Sequence, residues 1–455
     1  MKRAGSHFLY SFTAGLAWLL GISGLAGGET NQTSLPVDLP AVLRLAGAQN
    51  LDVQIARERV AQAEAAEEGA RLQYFPWLSP GIGYRRHQDR IQDVVGNIIN
   101  ADKQSLSPGA AFSAQVDFGD AIYKNLAARQ FTRAAREAME AQSQDTILAA
   151  AFGYLDLSRG VAAIGIAREA ERISRAYEDQ LHAAVEAGLA FKGDELRVRL
   201  QTERYVIAVR QAQESTRITA SRLAQMLRID PAVELVPQES DPLPMILVAT
   251  NASLPTLIQQ GLAMRSELRQ SRALVEAANA GRRGAEYGPL IPSIGAQAFL
   301  GGLTGGTGNN LDHFGPTEDL AVGLGWRIGP GGIFDRSRTR AAESRLAETR
   351  LTDQKIHDQV VQQIVEAWAR VKSLAEQVGV VQASLATAAE TAQLTGQRRE
   401  YSVGVVLEAI QAQQDLTRSR QDYLQTVAEF DKSQFAIQRA LGGSGSSGGA
   451  QAGKP

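Results

Sequence analysis

The chain carries one sequence pattern twice, and this duplication limits the folds open to it. Leu39-Pro40 begins one apolar helical pattern and Leu254-Pro255 begins another, 215 residues further along. The offset stays between 214 and 216 for four further pairs, which are Asp52 with Glu267, Pro76 with Pro292, Tyr154 with Trp368 and Gly188 with Gly404. Only two copies occur, which excludes a solenoid. The sequence therefore predicts one structural unit used twice.

Each copy contains the same succession of predicted elements: a helix, two strand candidates, a very long helix, a glycine-containing turn and a final helix. The helices are predicted at about 37–72, 120–186 and 194–229, and again at about 253–287, 335–401 and 407–441, with strand pairs at about 75–118 and 290–329. Residues 231–252 are rich in proline, which is costly inside a helix, and are predicted as a linker. The repeats are thus assigned to 27–230 and 253–441, and the Gly/Ser-rich residues 442–455 are predicted to be disordered.

The long helices have the spacing of helices that pack side by side. In the second copy, positions that are apolar except for Gln382 recur in steps of three and four along Val361, Ile364, Trp368, Val371, Ala375, Val378, Gln382 and Leu385. A helix of this predicted length extends roughly 100 Å at 1.5 Å per residue. Such a helix needs equally long neighbours to cover its apolar seam.

The strand candidates alternate between an apolar side and a small or polar side. The apolar positions, predicted to face lipid, are Phe112, Val116 and Phe118 in the first copy and Leu320, Val322, Leu324, Trp326 and Ile328 in the second. Ser113, Gln115 and Asp117 lie between the apolar positions of the first copy. A half-buried strand of a soluble sheet is the commoner source of alternation, but the polar character of the other side and the aromatic residues near the helix junctions favour transmembrane barrel strands.

Four strands cannot close a barrel that leaves a lumen, and open strand edges are not tolerated in lipid. We therefore expect other subunits to complete the sheet, and three subunits would supply twelve strands. The predicted fold class is mainly α with β: a duplicated repeat of very long, coiled-coil-like helices with four transmembrane strands per subunit.

The N-terminus has the features of a secretory signal peptide. Lys2 and Arg3 precede an apolar run from Phe8 to Leu20, and Gly24-Leu25-Ala26 supplies small residues for cleavage, so residues 1–26 are predicted to be removed. A membrane anchor is the alternative, but the run is short for a spanning helix. The chain has no cysteine, which excludes disulfides, thiolate metal ligands and a lipid-bearing cysteine.

The composition gives no sign of an enzyme, a metal site or a nucleic-acid partner. Lys plus Arg total 47 and Asp plus Glu total 49, so there is no basic footprint for nucleic acid. The five histidines are far apart, and the stretch GGLTGGTGNN lacks the ending of a phosphate-binding loop. We predict no catalytic residues, no cofactor and no metal.

Several local patterns carry a family resemblance. VEAGLAFKGDELRVRLQTE and REYSVGVVLEAIQAQQDLTRSRQDYL resemble helix tips, YFPWLSP and PLIPSIG resemble entries into strands, and DFGDA and IGPGGIFDR resemble exits from strands, all in the TolC-like outer-membrane efflux protein family. The resemblance implies a homotrimer with a twelve-stranded β-barrel in outer-membrane lipid and a twelve-helix barrel in the periplasm. It also implies a periplasmic adaptor protein and an inner-membrane transporter as partners in efflux or type I secretion.

The resemblance also indicates candidates for a periplasmic gate. Gly188 and Gly404 correspond to the tip glycines, Tyr401 to the tip tyrosine and Asp194 to an acidic position. Glu408 corresponds to the first acidic position of the second tip if two residues are deleted after Gly404, and Gln411 then stands where a second acid is expected. The nearby candidates for tip ion pairs are Arg398, Arg399 and Glu400. Solvated helix ends would carry the same charges, so both interpretations stay open.

One alternative belongs to a different class of protein. A soluble periplasmic coiled-coil scaffold or adaptor would also contain long helices and a small strand-rich domain. Such an adaptor would more often place its strands around one central helical hairpin, whereas this chain has alternating strands at two equivalent sites. The sequence therefore favours the channel.

Overall fold

A computed structural model describes residues 34–75, 77–239, 243–400 and 406–443. The first repeat contains β1 (Ser34–Val37), α1 (Leu39–Gln49), α2 (Leu51–Leu72), β2 (Trp77–His87), β3 (Arg90–Gln92), β4 (Ile98–Asn100), β5 (Lys103–Asp117), α3 (Phe118–Glu186) and α4 (Lys192–Leu227). After β6 (Glu234–Pro237) the second repeat contains α5 (Leu254–Met264), α6 (Ser266–Tyr287), a 3-10 turn (Gly288–Leu290), β7 (Ser293–Thr307), β8 (Asp312–Gly325), α7 (Arg336–Glu400) and α8 (Val406–Ala440). The predicted signal peptide, residues 444–455 of the predicted C-terminal tail, Tyr401 and Gly404 lie outside the described residues.

The first helix of each repeat is broken in two, where the sequence predicted one continuous helix. Asn50 has extended backbone angles, and its side-chain oxygen accepts a hydrogen bond from the Asp52 N–H (2.8 Å), so it caps α2. Its side-chain amide donates to the Met226 carbonyl (3.1 Å) at the end of α4. Arg265 is extended in the same way between α5 and α6. The break thus recurs in both repeats.

Within the described residues, β2, β5, β7 and β8 form one four-stranded antiparallel sheet in that order. Directly paired residues lie on the same face of a sheet, so the register defines two faces. The rows across β5, β7 and β8 on one face are Phe112–Ala298–Leu320, Ala114–Ala296–Val322 and Val116–Ile294–Leu324. The rows Ser113–Gln297–Ala321 and Gln115–Gly295–Gly323 lie on the other face. One face is therefore apolar and the other small and polar.

Three of the predicted lipid-facing residues do not lie in strands. β8 ends at Gly325, so Trp326 and Ile328 follow the strand, and Phe118 is the first residue of α3. Trp326 is instead fixed by a hydrogen bond from its Nε1 to the Leu290 carbonyl (3.2 Å), and the Phe118 ring lies 6.2 Å from that of Tyr74. Val116 is in β5 but only 7% exposed, so it is covered within the chain itself.

Pro80 lies within β2 and is accommodated at the edge of the sheet. β2 pairs with β5 alone among the described strands, so its other side has free backbone groups. A proline lacks an N–H and is tolerated on such an edge.

The long helices form two hairpins, α3 with α4 and α7 with α8. One core cluster contains Leu157, Leu223 and Leu227, and a second contains Ile364, Trp368 and Val371 from the predicted heptad seam. Within the described part of the chain, α3 is also long and apolar enough, by length and composition, to cross a membrane, with a window of mean hydropathy 1.4. Since α3 supplies residues to the first core cluster, packing between helices accounts for part of this apolar character.

The linker between the repeats is anchored to both of them. Its strand β6 pairs in parallel with β1 at the start of the first repeat. Further along, the Met245 N–H donates to Asp431 Oδ1 (2.7 Å), and the N–H groups of Leu247 and Val248 donate to Gln434 Oε1 (3.1 and 2.8 Å). Side chains of α8 thus satisfy the backbone of an irregular segment.

Candidate functional site

The tip of the first helical hairpin is a tight turn around the predicted glycine. Gly188 has φ +72°, a left-handed conformation that glycine adopts without steric cost. Asp194, the predicted acidic position, lies in the first turn of α4 and pairs with Arg197 (3.2 Å). The structure therefore places Asp194 at the tip, where its gating role stays a prediction.

A buried carboxylate beside Asp194 was missed from the sequence. Glu195 is nearly buried, and both of its oxygens lie 2.5 Å from Lys192 Nζ. His182 of α3 approaches the same carboxylate through Nδ1 (3.1 Å). The hydrogen bond from Lys192, assisted by His182, lowers the pKa of Glu195. The three-residue spacing of Lys192 and Glu195 was the only local signal, and it indicates no more than a helical ion pair.

The second tip is held by a weaker contact. Arg398 Nη1 lies 3.5 Å from Glu408 Oε2, so α7 and α8 are joined by an exposed ion pair between two predicted gate residues. Gln411 is exposed one turn further along α8. The side chains of Arg399 and Glu400 lie outside the described residues. The two tips therefore differ, with a nearly buried carboxylate in the first and a surface pair in the second.

The apolar face of the sheet is open rather than packed against helices. Leu320 is 79% exposed and Val322 is 71% exposed, although both belong to an ordered strand of the sheet. On the other face Phe299, which breaks the sequence alternation, lies over Gly109 and Gly301 and leaves no room for a Cβ at either glycine. Apart from Val116, which is covered, the apolar face along β8 is therefore open among the residues that the structure describes.

The junction between β8 and α7 is a fixed turn built around Asp335. Its carboxylate accepts hydrogen bonds from the Ser337 hydroxyl and from the backbone N–H groups of Gly331, Ser337 and Arg338. These bonds lower the pKa of Asp335 to about 2. Arg338 in turn pairs with Asp120 at the start of α3. The segments that lead from the sheet into α3 and α7, which contain DFGDA and IGPGGIFDR, are thus linked to each other.

A buried charge cluster joins four helices away from the tips. Glu267 of α6 pairs with Arg439 of α8 (2.5 Å) and lies 3.1 Å from Nε of Arg265, at the α5–α6 break. Arg439 also binds Asp145 of α3 (2.8 Å). Burial opposes ionisation of Glu267, but the hydrogen bond from Arg439 and the charges of both arginines hold its pKa below the ordinary glutamate value. This cluster could not be predicted from local sequence patterns, because its members are up to 294 residues apart.

The described residues contain no group of three or more His, Asp or Glu side chains that could hold a metal ion. The described features with functional potential include the open apolar sheet face, the two helix tips and the β8–α7 junction.

Comparisons with known proteins agree with this geometry. The family model described as "Outer membrane efflux protein" matches residues 257–443, and no curated protein matches the sequence. The Campylobacter jejuni CmeC outer membrane channel is 16% identical with a TM-score of 0.77, over 90% of this chain and 87% of that one. The Vibrio cholerae outer membrane protein VceC is 17% identical with a TM-score of 0.73, over 89% and 96% of the two chains.

The open state of the Neisseria gonorrhoeae MtrE outer membrane channel is 18% identical with a TM-score of 0.72, over 89% of each chain. At such identities these likenesses show a shared fold, and that fold covers both repeats. The family model adds a match in sequence over the second repeat. The predicted resemblance is confirmed: the second repeat matches the family model of outer membrane efflux proteins, and the chain as a whole shares the fold of outer membrane channels.

Proposed function

We propose that three copies of this chain form a passive outer-membrane channel that also spans the periplasm. An inner-membrane transporter supplies the energy for efflux or type I secretion, and a periplasmic adaptor connects it to the helix tips. The observation that carries the proposal is the open apolar face of the β2-β5-β7-β8 sheet, mounted on helical hairpins roughly 100 Å long. Such a duct moves cargo without a chemical step.

The unpaired edges of this sheet support closure by neighbouring copies of the chain. β2 and β8 each have one neighbour among the described strands, so two rows of backbone groups face outward. In lipid these groups must be paired, and a neighbouring copy of the same sheet pairs them without a change of fold. Three four-stranded sheets close a twelve-stranded barrel, the number expected from the sequence.

The exposed apolar side chains of α7 also support assembly with neighbouring copies. α7 exposes Leu351, Val380 and Leu394 along its length, although its seam residues are packed against α8 and α5. Apolar side chains on a long helix need a cover, and the neighbouring subunit's hairpin has the matching length. A soluble periplasmic scaffold is disfavoured, because it would leave the apolar sheet face in water.

The proposal predicts a sharp difference between the two faces of β8. Val322→Arg puts a charge on the apolar face and is expected to destabilise the inserted barrel by about 2–4 kcal/mol, because arginine is costly in hydrocarbon. We expect severalfold less trimer in outer-membrane extracts, measured by chemical cross-linking in detergent. Ala321→Arg is the matched control, since it lies one residue away on the polar face and is expected to leave the yield of trimer near that of wild type.

Two results would contradict the proposal. One is recovery of the wild-type protein from the periplasm without detergent. The other is a monomer or dimer as the limiting cross-linked species from the outer membrane.

The proposed gate at the second tip gives a separate prediction. Glu408→Ala removes the ion pair with Arg398 that joins α7 to α8, and we expect a higher single-channel conductance in planar bilayers. An exposed pair contributes only about 0–1 kcal/mol, so the folded trimer should persist. Glu376→Ala, in the middle of α7, is the control because Glu376 is equally exposed and far from the tip. Equal conductance in both variants would remove Glu408 from the gate.

A further inference from the structure

The loop between β2 and β5 contains a small hairpin whose tip is apolar. Strands β3 and β4 pair in it, with Ile91 opposite Ile99. At the turn Val94 is fully exposed (105%) and Val95 is 86% exposed, and Ile98 beside them is 70% exposed. The hairpin lies at the end of the sheet away from the long helices, which is the extracellular end in the proposed channel. It therefore presents bare aliphatic side chains in a region that faces water.

Hydrogen bonds fix the conformation of this tip. Asp93 Oδ1 accepts hydrogen bonds from the N–H groups of Val95 (3.0 Å) and Asn97 (2.7 Å). The Asp93 N–H donates to the Asn97 carbonyl (2.9 Å), and Gly96 takes φ +100° to close the turn. The carboxylate thus fixes the loop in a shape that turns both valines outward.

Short segments connect the hairpin to the main strands of the sheet. Two residues on each side, Gln88 and Asp89 before it and Ala101 and Asp102 after it, separate it from the main strands. The Ala101 N–H donates to the Asp89 carbonyl (2.7 Å) across this base. Asp89 has φ +82°, which is uncommon for a residue other than glycine. The hairpin is therefore joined to the sheet through this short base, where Arg86 also pairs with Asp102 (3.1 Å) and the Gly308 N–H donates to the Asp102 carbonyl (3.2 Å).

Its reach matches the size of the proposed barrel. Five residues from Asp89 to the tip extend about 16 Å at 3.3 Å per residue. A barrel of twelve strands spaced about 4.8 Å apart and tilted by about 40° has a radius of about 12 Å. An inward-turned hairpin therefore reaches the channel axis. One face of its stem carries Arg90, Gln92 and Asn100, which suit a wet mouth and not the lipid outside the barrel, while Ile91 and Ile99 pair on the other face.

We propose that the hairpins of the three subunits meet on the channel axis, where Val94 and Val95 form an apolar constriction at the extracellular mouth. Each exposed tip contacts the same tip of another copy of this chain. This inference rests on the proposed trimer. Contact between the tips removes the valines from water and leaves the polar stems wet. A narrow apolar ring resists ions by excluding water, and outgoing cargo opens it by turning the hairpins about their bases.

The absence of cysteine from the chain makes this proposal directly testable. Val95→Cys introduces one thiol per subunit, and two thiols can join only where their Cα atoms come within about 7 Å. Oxidation of the purified trimer is expected to give disulfide-linked dimers on a non-reducing gel. Gln92→Cys is the matched control, since it lies on the stem of the same hairpin, away from the tip, and is expected to stay monomeric on that gel.

Conductance supplies the second measurement. The double variant Val94→Ser and Val95→Ser keeps the Asp93 turn, which uses backbone N–H groups, and is expected to raise single-channel conductance at least twofold. Trimer assembly is measured first by chemical cross-linking, and loss of the wild-type trimer would overturn the proposed function itself. If the trimer forms, either the absence of a Val95→Cys disulfide or an unchanged conductance in the double variant overturns the constriction.

Discussion

Glu267→Ala is expected to lower the free energy of unfolding by about 3–5 kcal/mol, because it leaves two buried arginines without their shared carboxylate. Arg265 and Arg439 are 5% and 6% exposed, and Glu267 is the acid that lies between them. Asp145 would remain beside Arg439, whereas Arg265 would keep only the Arg439 carbonyl and Gln363 as partners. Loss of one member of a buried charge network costs the desolvation of the others.

The measurement is the denaturant midpoint of the channel in detergent, followed by helical circular dichroism. Glu286→Ala is the matched control, since it removes a carboxylate from the same helix whose partner, Arg282, is a half-buried neighbour four residues away. A pair of that kind contributes about 0.3–0.5 kcal/mol. Similar midpoints for the two variants would show that the cluster contributes no more than an ordinary helical pair. A selective loss for Glu267→Ala would identify the cluster as one of the contacts that hold the two repeats together.

The periodicity of the sequence predicts most of the helices and strands. The long helix expected at 120–186 is Phe118–Glu186, and the last helix expected at 407–441 is Val406–Ala440. Heptad spacing and alternation are local properties, so a single sequence shows them. The breaks at Asn50 and Arg265 were not predictable, because each depends on a distant partner. Arg265 turns away from the helix to donate to the Arg439 carbonyl, 174 residues further along.

The residues of the candidate site also fall into those that the sequence predicts and those that it does not. Gly188, Asp194 and Glu408 were found because the tip pattern is contiguous in sequence. The Asp335–Arg338–Asp120 junction and the Glu267 cluster escaped notice, because an isolated acid on an alanine-rich helix has the appearance of a solvated surface residue. Such acids differ from surface residues in their burial and in their pairing across the two repeats. Neither property can be predicted from one segment of the chain.

Asp431 provides the second large effect, through its position under the linker between the repeats. It is 1% exposed, and its Oδ1 accepts the Met245 N–H. Burial raises the pKa of Asp431 to about 7, the Met245 hydrogen bond opposes this rise, and the charge of Glu239 adds to it. The neighbouring residue Lys432 is paired with Asp156.

The sign of the pH dependence follows from this raised pKa. Between pH of about 4 and 7 the folded chain holds a proton that the unfolded chain has released, so the contribution of Asp431 to stability is complete below about pH 4 and is lost as the pH rises to about 7. Three pH units correspond to about 4 kcal/mol per subunit at most. Asp431→Asn keeps an oxygen acceptor for Met245 and cannot titrate.

We therefore expect the denaturant midpoint of the wild-type channel to fall between pH 5 and pH 7.5 and that of Asp431→Asn to stay nearly constant. Asp415→Asn, an exposed change on the same helix, should keep the wild-type slope. An unchanged slope in Asp431→Asn would assign the pH dependence to another group. If the midpoint of Asp431→Asn does not change with pH, the titrating group is the carboxylate that accepts the Met245 N–H. A rise in periplasmic pH then charges this buried carboxylate and loosens the segment that joins the two repeats.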